Sequence, residues 1–505
     1  MTHRRDHQIL RQRQKPAYRC AARTALRAIV SFALFAGLAR AQALVIKDVT
    51  VIDATGAAPK PNRTVIVVGD RITAVEPANA ARIPANARVV DGAGKFLIPG
   101  LWDMHVHGAA DGRSAWTYPL FLANGVVGVR EMFGPPDGRA WRVQHATSGK
   151  LSPLVLLGSP IVDGPNPQWP TSIIAADEAQ GRAVVVEQQQ RGADFIKVYS
   201  RLPRDAYFAI ADEARNRGIA FAGHVPYSVT AAEASAARQR SIEHLGGIVA
   251  GCSREEKSLL PELRNLQAVL RDPAVPMSEK MSAGPRELML EARLRATYDD
   301  ATAQSLFATF VKNNTWQCPT LTVLRAQLDN PQRLNDPRAK YLGKEVRASW
   351  ERGFYGGFPA QVRPALIESA KADFEEYTRI VGGMYRAGVK LLAGSDALNP
   401  ECFPGFGIHD ELALLVDAGL PPLAALQIAT RNAAEFMGQL DRRGTIEAGK
   451  AADLILLTKD PLAEIRNTRS IEAVVLGGKW IPRSALDAML AEVEGAVNGR
   501  TEPHD

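Results

Sequence analysis

The stretch Asp103-Met104-His105-Val106-His107 follows directly on the apolar run 96–102. Side chains alternate between faces along a β-strand, so His105 and His107 point one way while Met104 and Val106 point the other. Two neutral imidazoles offered from one short, rigid segment suit a borderline divalent cation such as Zn²⁺. Taken alone, a His-x-His pair fits a solvated strand face about equally well. The later part of the chain weighs for the metal. Lys197 ends the run Asp194-Phe195-Ile196, His224 ends 219–223, His244 follows Ser241-Ile242-Glu243, and Asp396 closes 389–395. Polar residues at the C-terminal ends of buried strands are where a (β/α)₈ barrel keeps its chemistry, because all eight ends face one mouth.

Together these segments resemble the amidohydrolase superfamily, in particular its imidazolonepropionase-like and prolidase-like branch with the Xaa-Pro and Xaa-Arg/Lys dipeptidases. The resemblance runs from about residue 44 to about 482. It rests on "LVIKDVTVIDATG", "PGLWDMHVH", "GVVGVREM", "FIKVY", "GHVPYS", "SIEHLGG", "LLAGSDA", "ALQIATRNAAEFMG" and "GTIEAGKAADLILL". It implies two divalent metal ions, with zinc the expected metal, and a CO₂-derived carbamate on Lys197 that bridges them. His105, His107 and Asp396 would complete the more buried ion's shell, and His224 and His244 the other's. A hydroxide held between the ions would be the nucleophile, since metal binding lowers the pKa of water towards neutrality. Asp396 would take its proton and pass it to the leaving amine. Tyr227, three residues after His224, matches a tyrosine that polarises the scissile carbonyl in dipeptidase relatives.

Each residue also has a plainer fate. A strand-end lysine commonly reaches back to solvent, but the flanking Phe195, Ile196, Val198 and Tyr199 leave little reason for a free ammonium at Lys197. His224 and His244 compete with ordinary core histidines, Asp396 with a helix N-cap, and Tyr227 with a packed core ring. The segment 158–169 lacks the Gly-Gly-His of many relatives, which puts the usual dipeptide specificities in doubt. Trp169, Trp316 and Arg130 are pocket candidates. The resemblance therefore implies a binuclear-metal amidohydrolase acting on a dipeptide or N-acyl amino acid, and the N-terminal segment read below makes it a periplasmic or secreted one. The alternatives are a cyclic amide or lactone hydrolase of the imidazolonepropionase type and, from another class, a non-catalytic periplasmic binding protein.

The chain has 505 residues, 46% hydrophobic and 23% charged, as expected of a globular protein. No stretch after residue 45 has the roughly 20 apolar residues needed to span a bilayer. The first 41 residues read as an export signal: eight Arg and Lys through Arg27, an apolar segment 28–38, and Ala39-Arg40-Ala41. That leader inflates the formal charge of +7, so the basic balance is no argument for nucleic-acid binding. The expected partner is a small-molecule substrate, with no stable membrane anchor and with homo-oligomerisation left open. Cys20 leaves with the leader, and Cys252, Cys318 and Cys402 allow one disulfide at most.

Residues 44–95 and 443–483 alternate apolar and polar in short runs, the pattern of antiparallel β. Between them, strand-like runs near 101, 127, 155, 196, 220, 242, 316 and 390 alternate with helical segments. The expected fold is α/β: a (β/α)₈ TIM-like barrel over 99–440 with a small β-sandwich from both chain ends, 42–98 and 441–485, and a tail over 486–505. Two long insertions, 252–314 and 325–380, fall where a barrel keeps its functional loops. If the leader is cleaved as read, N-terminal sequencing of exported protein should begin at Gln42; an intact leader on protein confined to the cytoplasm would contradict this.

Overall fold

The computed structural model describes residues 42–109 and 112–499; residues 1–41, expected to be an export signal, and the last six residues lie outside the described residues. Strands β1 (Leu44–Val51), β2 (Lys60–Val68), β3 (Arg71–Pro77), β4 (Arg88–Asp91) and β5 (Phe96–Pro99) open the chain. The barrel follows with β6 (Leu101–Val106), β7 (Val126–Glu131), β8 (Leu154–Asp163), a two-residue β9 (Ile173–Ile174) paired to β8, β10 (Phe195–Val198), β11 (Ala220–Gly223), β12 (Ser241–Glu243) and β13 (Trp316–Cys318). These pair in parallel in the order β13-β12-β11-β10-β8-β7-β6. The eighth position is filled by irregular backbone. Gln317 bonds Lys390 and Leu392 on one side, and on the other Met104 N donates to Ala393 O at 2.8 Å and Asp396 N to His105 O at 2.8 Å. Residues 390–397 thus close the cylinder between β13 and β6.

Period two explains what faces inward. On β10, Ile196 and Val198 join the large core beneath the surrounding helices, whereas Phe195 packs inside the barrel with Met132 and Ala222, and Lys197 shares its face. The surrounding helices have ordinary start and stop signals. Asp177 caps Glu178–Gln190 through Gln180 N, Thr230 and Glu233 form a capping box on Ala231–Ala236, and Arg204–Arg217 ends at Gly218 in the left-handed region.

The two chain ends meet in one eight-stranded sheet, completed by β14 (Leu454–Leu457), β15 (Ile471–Leu476) and β16 (Lys479–Pro482), in the order β16-β15-β14-β5-β1-β2-β3 with β4 on β1. It is mixed rather than antiparallel throughout, because β1 pairs parallel with both β4 and β5; residue alternation fixes which face a side chain takes but not strand direction. Leu454, Leu456, Ala473 and Val475 pack on the sheet's own core, while Ile455, Leu457, Ile471 and Val474 join the barrel core. The β15–β16 hairpin turns on Gly477-Gly478, both at positive φ, and a Cβ at Gly478 would meet Gly69 O at 1.8 Å. Residues 486–499, read as part of a tail, belong to helix Arg483–Gly499, which buries Leu486 and Val493. Cys252, Cys318 and Cys402 are buried free thiols. Among the described residues no helix is long and apolar enough to cross a membrane.

The insertion after β12 is helical: Glu256–Arg271 and Met277–Ala296 pack through Leu259, Leu263, Leu266, Ala283, Leu290 and Leu294, and Asp300–Asn313 returns to β13. The second insertion ends in Arg363–Arg386, joined to the first by Arg295 and Asp373 at 2.6 Å. Between them burial, with Glu287 and Asp373 nearby, pushes the Glu291 carboxyl up to about 8 from an ordinary 4.5. A carboxyl raised in the folded state contributes stability that is complete below pH 4.5 and is lost as pH rises through 8. Glu291→Gln should therefore melt with the native protein at pH 5 and a few °C above it at pH 9. Paired thermal scans check this, and equal melting at both pH values would contradict it.

Candidate metal centre

His105 and His107 reach the barrel interior from the C-terminal end of β6, as their i, i+2 spacing requires. The other expected donors arrive on different strands: Lys197 on β10, His224 after β11, His244 after β12 and Asp396 on the closing segment. The structure brings them together. Ring centroids of His105 lie 5.3 Å from His107 and 4.5 Å from His244, and those of His224 and His244 are 4.8 Å apart. Asp396 Oδ1 is 2.8 Å from His107 Nε2 and 3.5 Å from His105 Nε2, and its Oδ2 is 3.8 Å from His244 Nδ1. His244 and Asp396 both sit at positive φ, 57° and 56°, where an ordinary residue costs energy unless its surroundings hold it. Gly394 allows the close approach: a Cβ there would meet both Cys318 Sγ and His105 Cβ at 2.7 Å.

Burial sets the charge states. His105 and His224 are held well below the usual histidine range by burial and then by the Lys197 charge, and burial brings His244 down to about 4. All three are neutral near pH 7, the form that binds metal. Burial acts to raise Asp396, but His244, His107 and Lys197 outweigh it and keep the carboxylate ionised. Lys197 is brought down to about 8 by burial, opposed by Glu243 and Asp396. Its side chain is fully buried, and Nζ has no hydrogen-bond partner among the described residues.

An orphaned amine amid four imidazoles and a carboxylate is the observation against which a metal site is to be judged. Donor atoms of His105, His107 and Asp396 lie within 4.8 Å of one another, close enough to share one ion. Imidazole and carboxylate suit zinc and its neighbours, and carboxylation of Lys197 would replace an uncompensated buried amine with an anionic donor. The residues fit divalent metal.

Support for the donors comes from residues to which sequence reasoning gave no such role. Glu243 Oε2 lies 2.8 Å from His105 Nδ1, and Arg130 grips both Glu243 oxygens at 2.8 and 3.0 Å. Thr320 Oγ1 is 2.6 Å from His244 Nδ1 and Ser200 Oγ 2.8 Å from His224 Nδ1. Engaging Nδ1 fixes ring orientation and leaves Nε2 for a ligand. Asp103 accepts from Ser395 N at 2.9 Å and Ser395 Oγ at 2.5 Å, tying β6 to the closing segment; burial pushes it up to about 7. Glu411 accepts from Leu321 N and Thr322 N, fixing the loop that carries Thr320. The available signal was adjacency, since Asp103 opens the His-x-His motif and Glu243 precedes His244.

Two pocket candidates are corrected. Arg130 is fully buried and spent on Glu243, Ser241 and Met104 O, and Trp316 is fully buried against Phe436. Trp169, 44% exposed, donates Nε1 to Tyr199 Oη at 3.0 Å, and Tyr199 lies against His224 with centroids 3.9 Å apart. Tyr227 is partly buried, bonded through its N–H to Ser200 O, with the Arg271 guanidinium 4.3 Å from its ring centroid.

The Amidohydrolase family profile matches residues 362–481. Among curated proteins, an imidazolonepropionase of Aromatoleum aromaticum is 39% identical over 84 residues, 16% of this chain and 20% of that protein. An adenine deaminase of Ligilactobacillus salivarius is 35% identical over 66 residues, 13% of this chain and 11% of the other. The matched segments thus span a fifth or less of these relatives. Solved structures agree over far more of the chain. A bottromycin amidohydrolase superposes with TM-score 0.69 at 25% identity, covering 91% of each chain. A putative prolidase from Bifidobacterium longum gives 0.62 at 21% identity, covering 90% of this chain and 99% of that one, and shares the fold. Over residues 362–481 the chain is thus similar in sequence to the amidohydrolase family, and over most of its length, in barrel and end sheet, it is similar in fold to these solved amidohydrolase and prolidase structures.

Proposed function

We propose that the protein is an exported metal-dependent hydrolase that cleaves the amide bond of a dipeptide or N-acyl amino acid. The observation that carries this reading is Lys197: a buried amine without a hydrogen-bond partner among the described residues, gathered with neutral His105, His224 and His244 and an ionised Asp396. Carboxylated Lys197 would hold two divalent cations, zinc by the chemistry of the donors, with His105, His107 and Asp396 serving one and His224 and His244 the other. Bound there, the metals polarise a carbonyl and lower the pKa of water towards neutrality.

The protein's own groups manage the protons and the pose. Asp396 stays ionised and is 2.8 Å from His107, so its carboxylate is placed to accept a proton inside the barrel and return it to the departing amine nitrogen. Glu243 and Arg130 keep His105 in one tautomer. Tyr227 would direct its hydroxyl at the carbonyl oxygen. One finding favours a second reading, hydrolysis of a cyclic amide: the 39% identity to an imidazolonepropionase over 84 residues. The prolidase and Xaa-Pro dipeptidase neighbours, alike in fold, keep the linear amide first.

Protein produced with zinc and bicarbonate should contain two metals per chain by elemental analysis. A content near one, unchanged by bicarbonate, would sink the carbamate bridge. Chelation should abolish turnover, whereas a binding protein would show none to abolish. A screen of N-acetyl amino acids and dipeptides against lactones and cyclic amides decides the substrate class, and turnover of cyclic compounds alone would favour the second reading. Asp396→Asn should preserve the fold and lower kcat by about 10²–10⁴-fold, the usual worth of general acid–base help; activity within a few-fold of native would reject the role.

A further inference from the structure

The loop that leaves β8 is fixed along both of its edges. Asp163, fully buried at the end of β8, accepts from Gly164 N at 3.0 Å, Gln168 N at 3.1 Å and Arg201 N at 2.7 Å. One carboxylate thus ties residues 164–168 to their own strand end and to the loop after β10. The two loops touch so closely that a Cβ at Gly164 would meet Arg201 O at 2.0 Å. The Arg201 guanidinium donates back to Asn166 O, and Asn166 is held at positive φ, 57°. These ties lead to Trp169.

The indole of Trp169 is anchored but not covered. Its Nε1 donates to Tyr199 Oη at 3.0 Å, while 44% of the residue stays exposed. Tyr199 is buried, with its ring centroid 3.9 Å from that of His224 and 5.6 Å from the Lys197 amine. Two aromatic side chains therefore lead from solvent to two of the candidate metal donors. After β7, half-buried Phe133 stands edge-on to His107 with centroids 6.4 Å apart. Aromatic surface thus follows three neighbouring strand ends, those of β7, β8 and β10. A single exposed aromatic needs no explanation. One whose loop is pinned through a buried carboxylate, and whose N–H is already engaged, offers a flat apolar face in one orientation and loses little entropy when something packs on it.

We propose that Trp169, anchored by Tyr199, is the platform for an aromatic side chain of the substrate. This deepens, and rests on, the reading of the protein as a hydrolase of amino-acid amides. It gives a task to the segment 158–169, where the sequence departs from the Gly-Gly-His of many relatives: an indole face selects by apolar contact.

The test measures binding separately from turnover, with compounds that correspond to the two halves of a cleaved amide and differ only in benzyl against methyl. Zinc-loaded native protein is titrated calorimetrically with L-phenylalanine and L-alanine, and with phenylacetate and acetate. At least one benzyl compound should bind about tenfold or more tightly than its methyl counterpart. Trp169→Ala should lose most of that preference while the methyl compounds bind as before and zinc content and circular dichroism are unchanged; Trp169→Phe should retain part of it. Equal binding within both pairs, no binding of any compound, or a preference that survives Trp169→Ala overturns the proposal. Loss of zinc from Trp169→Ala also overturns it, since Trp169 would then only steady Tyr199 on His224. A benzyl preference without turnover of any amide would remove the hydrolase reading and leave the platform standing. Turnover of dipeptides or N-acyl amino acids with the benzyl preference intact in Trp169→Ala would do the reverse.

Discussion

A lysine amine enclosed in a barrel with nothing to hydrogen-bond is an expensive arrangement, because a buried polar group forfeits water without compensation. Lys197 is in that position among the described residues, and burial brings it down to about 8, so a neutral fraction exists near physiological pH. The neighbouring groups are organised around this cost. Asp396 and Glu243 oppose the loss of its proton, while His105 and His224 are driven neutral partly by its charge. Converting the amine to a carbamate and placing cations beside it would resolve the frustration in one step, turning a repulsive centre into a donor. The cost of Lys197 is thus the physical reason for reading the histidines around it as ligands.

Holding those ligands requires a closed barrel, and closure is achieved by the least regular strand. Residues 390–397 bond Gln317 on one side and β6 on the other, and Asp103 clamps Ser395 through both backbone and hydroxyl. The kinked backbone, with Gly394 pressed against His105 and Cys318, turns the Asp396 carboxylate towards His107 and His244. A regular strand would have sent alternate side chains inward at fixed spacing. Three buried acids, Asp103, Glu131 and Glu411, accept backbone N–H groups at the strand ends, so the rim is fixed by short polar ties beneath the donors.

The donors were legible in the sequence because each closes an apolar run, and a barrel gathers strand ends whatever their separation in the chain. The ties were not. Glu243 meets His105 across 138 residues, and Arg130, a charged residue on an apolar strand, resembled a pocket residue until its partner was visible. Trp316 was misplaced for a related reason: a large aromatic at a strand start has no sequence mark that separates core from mouth. Alternation identified the end strands but carried no information on direction, which is why the parallel pairs of β1 escaped notice. Residues 486–499 lack the turn residues that punctuate the rest, and their helix is fixed by burying Leu486 and Val493.

The candidate donors and the insertion after β12 are held by different kinds of structure. The donors sit on strands and on loops of a few residues tied at their Nδ1 atoms, where small displacements would cost ligand geometry. The helices of the insertion pack mainly on one another through Leu259, Leu263, Leu290 and Leu294, and touch the barrel rim through polar contacts such as Arg264 with Tyr227. A unit with its own small core changes its polar face without disturbing the barrel, because the side chains that hold it together are not those that meet the site.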